Sequence, residues 1–125
     1  MDIQVKHEVV KNSSNKIKFR RFKLGGYEHY NIRLSIEGQD LKEVSFVEYE
    51  LHQTFPNPLR KATNSEQGFA IDIWTWGEFQ INVSIHFKNN ETLNVIHDIS
   101  FSNELPAEED SYIDVSPKSY RGAMA

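Results

Sequence analysis

Hydrophobic positions recur with a period of two along most of the chain, and the longest clean run lies past its middle. Phe79, Ile81, Val83, Ile85 and Phe87 alternate with Gln80, Asn82, Ser84, His86 and Lys88, which predicts a strand with one face in a core and the other in water. Asn89-Asn90 then offers residues that tolerate a left-handed turn, and Leu93, Val95, His97, Ile99 and Phe101 bring the chain back as a hairpin partner. Earlier, Tyr30, Ile32, Leu34 and Ile36 share one face and Asn31, Arg33 and Ser35 the other. Shorter alternating runs span 3–9, 16–24, 44–51 and 69–74, with phase slips at Val9-Val10, Arg20-Arg21 and Phe46-Val47 where a bulge would swap faces. Polar or glycine-bearing turns separate them at 11–15, Gly25-Gly26 and Glu37-Gly38-Gln39-Asp40, and Leu59 to Gly68 reads as a loop. No stretch sustains a helical period. The pattern predicts an all-β, antiparallel immunoglobulin-like β-sandwich of about seven to eight strands. Tyr30, Ile32, Leu34, Phe79, Ile81, Val83, Ile85, Leu93, Val95, Ile99 and Phe101 are expected inside, and Asn31, Arg33, Gln80, Asn82 and Lys88 outside.

At 125 residues and 38% hydrophobic content, the chain suits one domain with a core large enough to need no staples. Cysteine is absent, which excludes disulfides, thiolate metal clusters and cysteine nucleophiles. No apolar run approaches the roughly 20 residues of a membrane span, and Met1-Asp2-Ile3-Gln4-Val5-Lys6 lacks the plan of a signal peptide. The expected location is therefore cytoplasmic, with no membrane partner. Acidic residues outnumber basic ones 18 to 14, for a net charge of -4, a poor balance for gripping phosphate backbones. The basic, aromatic-laced stretch from Lys11 to Lys23 reads as a strand with one solvated face, so nucleic acid ranks last among partners. Residues 104–110 are acidic and short of apolar groups, which places the expected domain at 1–104 and an acidic, extended or linker-like segment at 105–125. Arg121-Gly122-Ala123-Met124-Ala125 reads as a cloning remnant or the cut end of a longer chain.

Signs of catalysis are weak. His97 and Asp98 are adjacent, so on a strand they point to opposite faces and cannot act as base and orienter for each other. No nucleophile elbow, phosphate-binding glycine loop or zinc-binding helix motif occurs. The five histidines, at 7, 29, 52, 86 and 97, are scattered, and no cofactor or metal is expected. A different chemistry is suggested where Leu51-His52-Gln53-Thr54-Phe55-Pro56-Asn57-Pro58 leaves a strand through two prolines, and where Trp74-Thr75-Trp76-Gly77-Glu78-Phe79 turns into the longest strand. An aromatic before proline and an aromatic before glycine, on loops gathered at one end of a sandwich, would form the walls of a slot.

These two segments resemble the paired signatures of the YEATS domain, above all its prokaryotic branch, and the resemblance extends over roughly Tyr27 to Phe101. It implies an immunoglobulin-like sandwich that reads acylated lysine, acetyl or crotonyl, and is not an enzyme. By the resemblance, His52 matches the histidine bracing the site and Thr54 the hydroxyl that bonds the acyl-lysine amide. Phe55 and Trp76 match the aromatic walls, with the Trp76 backbone N–H as donor to the acyl carbonyl. Gly77, Glu78 and Phe79 continue the motif, Phe79 lining the base, and Tyr27 matches a further pocket aromatic. Thr75 departs from the pattern, standing where glycine usually precedes the aromatic. The expected partner is thus a lysine-acylated peptide or protein, and the alternative is an adaptor domain whose slot is filled by its own side chains. The oligomeric state is not written in the sequence.

Overall fold

The computed structural model describes residues 2–22 and 26–116. The expectations for Lys23, Leu24, Gly25 and the segment Arg121 to Ala125 fall outside the described residues. Among the described residues nine strands form in chain order: β1 (Gln4–Val9), β2 (Ile17–Arg20), β3 (His29–Glu37), β4 (Val44–Glu50), β5 (Leu59–Ala62), β6 (Ile71–Thr75), β7 (Phe79–Phe87), β8 (Thr92–Ile99) and β9 (Tyr112–Asp114). One sheet runs β5-β4-β7-β8 and is wholly antiparallel. In the other, β3 carries β6 along one edge and β1 and then β2 along the opposite edge, with β9 parallel to β2. The molecule is an immunoglobulin-like β-sandwich, as the alternation predicts.

The period-two sets meet between the sheets. Ile32, Leu34 and Ile36 of β3 join Val47 and Tyr49 of β4 and Ile81, Val83 and Ile85 of β7 in a single buried cluster. Each such side chain contributes about 1.5–3 kcal/mol by leaving water. Tyr49 is the one polar group at its centre, and its hydroxyl donates to the Phe69 carbonyl at 2.7 Å. Burial alone pushes the Tyr49 phenol well above the ordinary tyrosine value. At the turn after β3, Gly38 has φ +141°, and a Cβ there would fall 2.0 Å from the Asp2 carbonyl oxygen. Only glycine fits this crossing. On the β7–β8 hairpin, Asn90 takes φ +71° as its residue type allows.

Five sequence expectations need correction. Leu93 is exposed rather than inward, because it sits near the hairpin end of β8, which is the edge strand of its sheet among the described residues. Asn31 is buried rather than exposed: its ladder partner is Trp74, whose indole also carries the Arg20 guanidinium at 5.3 Å. The stretch 59–68 is not all loop, since Leu59–Ala62 pairs with β4 despite its charged residues. The slip in β4 falls between Val44 and Phe46, one step earlier than the pattern suggests. The sheet built on β3 also continues past residue 104, where β9 adds a parallel strand and Val115 N–H donates to the Phe19 carbonyl at 2.8 Å.

Candidate functional site

The loop following β4 is anchored by buried Leu51, whose N–H donates to the Pro58 carbonyl at 2.7 Å and closes the excursion. Inside it, Phe55 N–H donates to the His52 carbonyl at 3.0 Å to make a tight turn. Pro56 and Pro58 have no N–H to leave unsatisfied, and Asn57 between them takes the left-handed conformation at φ +50°. Arg60 then holds the far side, donating to the carbonyls of Asn57 at 2.7 Å and Pro56 at 2.9 Å. The loop is thus fixed by its own backbone before any ligand arrives.

His52 and Thr54 meet as the sequence expects, with His52 Nδ1 at 2.9 Å from Thr54 Oγ1. The Thr54 backbone N–H also points at Nδ1, at 3.2 Å. With that N–H donating to it, Nδ1 serves as an acceptor, and the Thr54 hydroxyl is placed to donate to it as well. The Oγ1 lone pairs therefore remain available to a donor from outside.

The opposing loop begins at Thr75, buried at the end of β6. Its hydroxyl donates to the Gly77 carbonyl at 2.9 Å and accepts the Gly77 N–H at 3.3 Å. This side-chain-closed turn explains how threonine serves here in place of glycine. Trp76 at its apex is 56% exposed. Tyr27 stacks on one indole face with ring centres 4.5 Å apart and planes 14° off parallel, so it backs Trp76 from outside and does not line the main cleft. The Trp76 N–H lies past the last β3–β6 pair and has no backbone acceptor among the described residues. A Cβ added at Gly77 would meet nothing within 4 Å, so the backbone there borders open space. Glu78 has a role the sequence does not reveal: its carboxylate accepts the backbone N–H groups of Phe101 and of Ser102, the latter at 3.0 Å. Those bonds, the Ser102 one first, hold its carboxyl below the usual glutamate range. Glu78 therefore ties the Trp76 loop to the end of β8. Phe79 meets Phe55 with centres 5.4 Å apart, both packed on the core.

Between the two loops lies an open cleft of about 700 Å³ that touches His52, Thr54, Phe55, Trp76, Gly77, Glu78 and Phe79. It continues along β6 from Asp72 to Thr75 and ends near Phe22 and His29. Of the predicted site residues only Tyr27 stands outside it, beside a neighbouring recess of about 450 Å³ on the far side of Trp76. Phe22, His29, Arg60 and Trp74 are the residues that sequence reasoning missed. They come from four separate strands or their flanks: the pairing of β2 and β6 with β3 gathers Phe22, His29 and Trp74, and Arg60 joins them from β5 of the other sheet. A second contact escapes the sequence as well: His7 Nδ1 lies 2.7 Å from His97 Nε2, and His7 Nε2 lies 2.8 Å from the Ser100 carbonyl. Burial, then the nearby His7, pushes the His97 imidazole below its ordinary value.

A model of the prokaryotic YEATS domain matches residues 30–100, which include both site loops. Among curated relatives, the AF-9 homolog protein of Eremothecium gossypii is 31% identical over 94 residues, covering 69% of this chain and 44% of its own length. The homolog of Kluyveromyces lactis is 36% identical over 64 residues, covering 48% of this chain and 28% of its own. The chain thus spans less than half the length of these relatives. Among solved structures, yeast AF-9 homolog protein Yaf9 superposes with a TM-score of 0.50 at 27% identity, over 58% of this chain and 54% of that one. The Yaf9 YEATS domain recognizing an H3K122suc peptide superposes with a TM-score of 0.53 at 21% identity, over 83% and 72%. The same domain bound to H3K27ac gives a TM-score of 0.51 at 22% identity, over 79% and 68%. At those identities the last two likenesses speak to the fold alone.

Proposed function

The chain belongs to the prokaryotic YEATS family, and from that premise and the shape of the cleft we propose that it is a non-enzymatic binding module for acylated lysine, acetyl or crotonyl, or a similarly flat amide. The observation that carries the reading is the open cleft lined by Phe55 and Trp76 together with an unspent hydroxyl acceptor, Thr54. An adaptor domain would have the slot filled from within.

The chemistry favours an amide over an amine. An acyl amide is planar and neutral, so it stacks against aromatic faces, each contact adding about 0.5–1.5 kcal/mol beyond area burial. Its N–H can donate to the Thr54 oxygen, and its carbonyl can accept the Trp76 N–H. An ammonium group has donors only. Aromatic faces do attract cations, by about 0.5–2 kcal/mol, but removing a charge from water without an acceptor costs several kcal/mol, and the penalty wins. Both carboxylates along the cleft are already engaged, Asp72 by Arg33 at 3.0 Å and Glu78 by two N–H groups. His52 is committed to Thr54 and serves as a brace. Titration of amide shifts with acetylated, crotonylated and unmodified versions of one lysine peptide tests the proposal. Shifts centred on residues 52–55 and 75–79 with the acylated peptides alone are expected; identical responses to all three would overturn it in favour of the adaptor.

A further inference from the structure

The lining of the cleft extends past the two loops onto strand β6, from Asp72 to Thr75. Among the described residues that strand has a single hydrogen-bonded neighbour, β3, over Ile71 to Thr75. In an edge strand, the N–H and C=O groups of every second residue point away from the sheet and lie ready for another chain. Edges are commonly guarded by charges, and two other edges here follow that habit. β5 carries Arg60 and Lys61, and β8 carries Asp98. β6 reads Ile71-Asp72-Ile73-Trp74-Thr75, and its one charge is drawn toward β3 by the Arg33 bridge. The unguarded edge is the one that borders the cleft, with Asp72, Ile73, Trp74 and Thr75 all on its lining.

We propose that the peptide carrying the acylated lysine adds to β6 as an extended strand, so that main-chain pairing along this edge, continuous with the acyl slot at Trp76, supplies the hold on the flanking sequence. The inference rests on the acyl-lysine reading and extends it to the partner. Five residues of edge correspond to a ladder of about 17 Å at about 3.3–3.4 Å per residue, which accommodates the segment on one side of the lysine. Because Trp76 directly follows β6, a lysine at the end of such a ladder reaches the slot without leaving its strand. Asp72 is paired with Arg33, and the charges of Glu78 and Arg60 on the lining offset each other, so little net charge remains to select basic or acidic flanks. The partner is thus any protein segment able to run extended beside its acyl-lysine, recognised through backbone more than side chains.

The test uses one crotonyl-lysine peptide in three forms: unmodified backbone, N-methylated at every second amide flanking the lysine, and N-methylated at the amides in between. An added strand presents only one of the two sets to β6. One methylated peptide should bind at least about tenfold more weakly, with the other within about twofold of the parent. In parallel, hydrogen exchange should slow on binding at alternate amides of residues 71–75 and not at those between. If the parent binds and both methylated forms lose affinity alike, or neither does, the strand-addition proposal is wrong while the reader stands. If the parent peptide does not bind at all, both fall together.

Discussion

At the scale of single residues, the site is built from groups that hold each other in place before a ligand is met. Thr54 is aimed by His52, and the histidine is polarised by the backbone N–H of the residue it aims. His52→Ala should therefore weaken acyl-peptide binding by freeing the Thr54 rotor, with the unfolding transition unchanged, because His52 is exposed. Thr54→Val removes one acceptor worth about 0.5–1.5 kcal/mol, a loss of roughly 2- to 13-fold in affinity by titration. Hydrolytic or acyl-transfer activity lost on His52→Ala would contradict the bracing role. Glu78 makes a prediction in pH. Its folded-state carboxyl lies below the ordinary value of 4.5, so its stabilising bonds to the β8 end are complete above that value and are lost as pH falls through the lowered one. Melting temperatures of the parent and Glu78→Gln should accordingly converge below about pH 4.5 and separate above it; a constant gap would refute the strut. The pairing of His52 with Thr54 was legible in sequence because the two are local. The task of Glu78 was not, because its partners lie more than twenty residues away on another strand end.

At the scale of elements, the alternation of β3 and β7 was readable because a half-buried strand imposes period two on its residue types. β5 was not readable: Leu59-Arg60-Lys61-Ala62 shows little apolar alternation, and its pairing with β4 is decided by the loop that Leu51, Pro58 and Arg60 close. β9 was hidden for the same reason, a three-residue strand in an acidic stretch whose partner is almost a hundred residues upstream. Between β4 and β6, Tyr49 provides a clean test of how elements are joined. Tyr49→Phe keeps the ring volume but orphans the Phe69 carbonyl, a buried acceptor whose loss of partner costs about 1–3 kcal/mol. Chemical denaturation should show that loss with an unchanged denaturant slope. A variant as stable as the parent would mean that the carbonyl finds another donor.

At the scale of the whole molecule, the two sheets leave the cleft along the free edge of β6 and beneath the loops flanking it, and function follows from what is left open there. On the proposed reading, neither the acidic balance of the chain nor its core selects the ligand; that task falls to the two aromatic walls. They are not equivalent. Phe55 is half-buried and rests on Phe79, while Trp76 stands out in solvent backed by Tyr27. Phe55→Ala should weaken a planar crotonyl ligand more than acetyl, since stacking area is what it removes. Trp76→Ala should leave the fold intact, because no core contact goes with it. The most direct test of the central claim is calorimetry of the parent and Trp76→Ala, each with crotonylated and unmodified versions of one peptide. The account predicts at least about tenfold tighter binding of the crotonylated peptide by the parent, about 1.4 kcal/mol, and loss of that preference in the variant at an unchanged melting temperature. Equal affinities for the two peptides, or a Trp76→Ala variant that binds as the parent does, would contradict it.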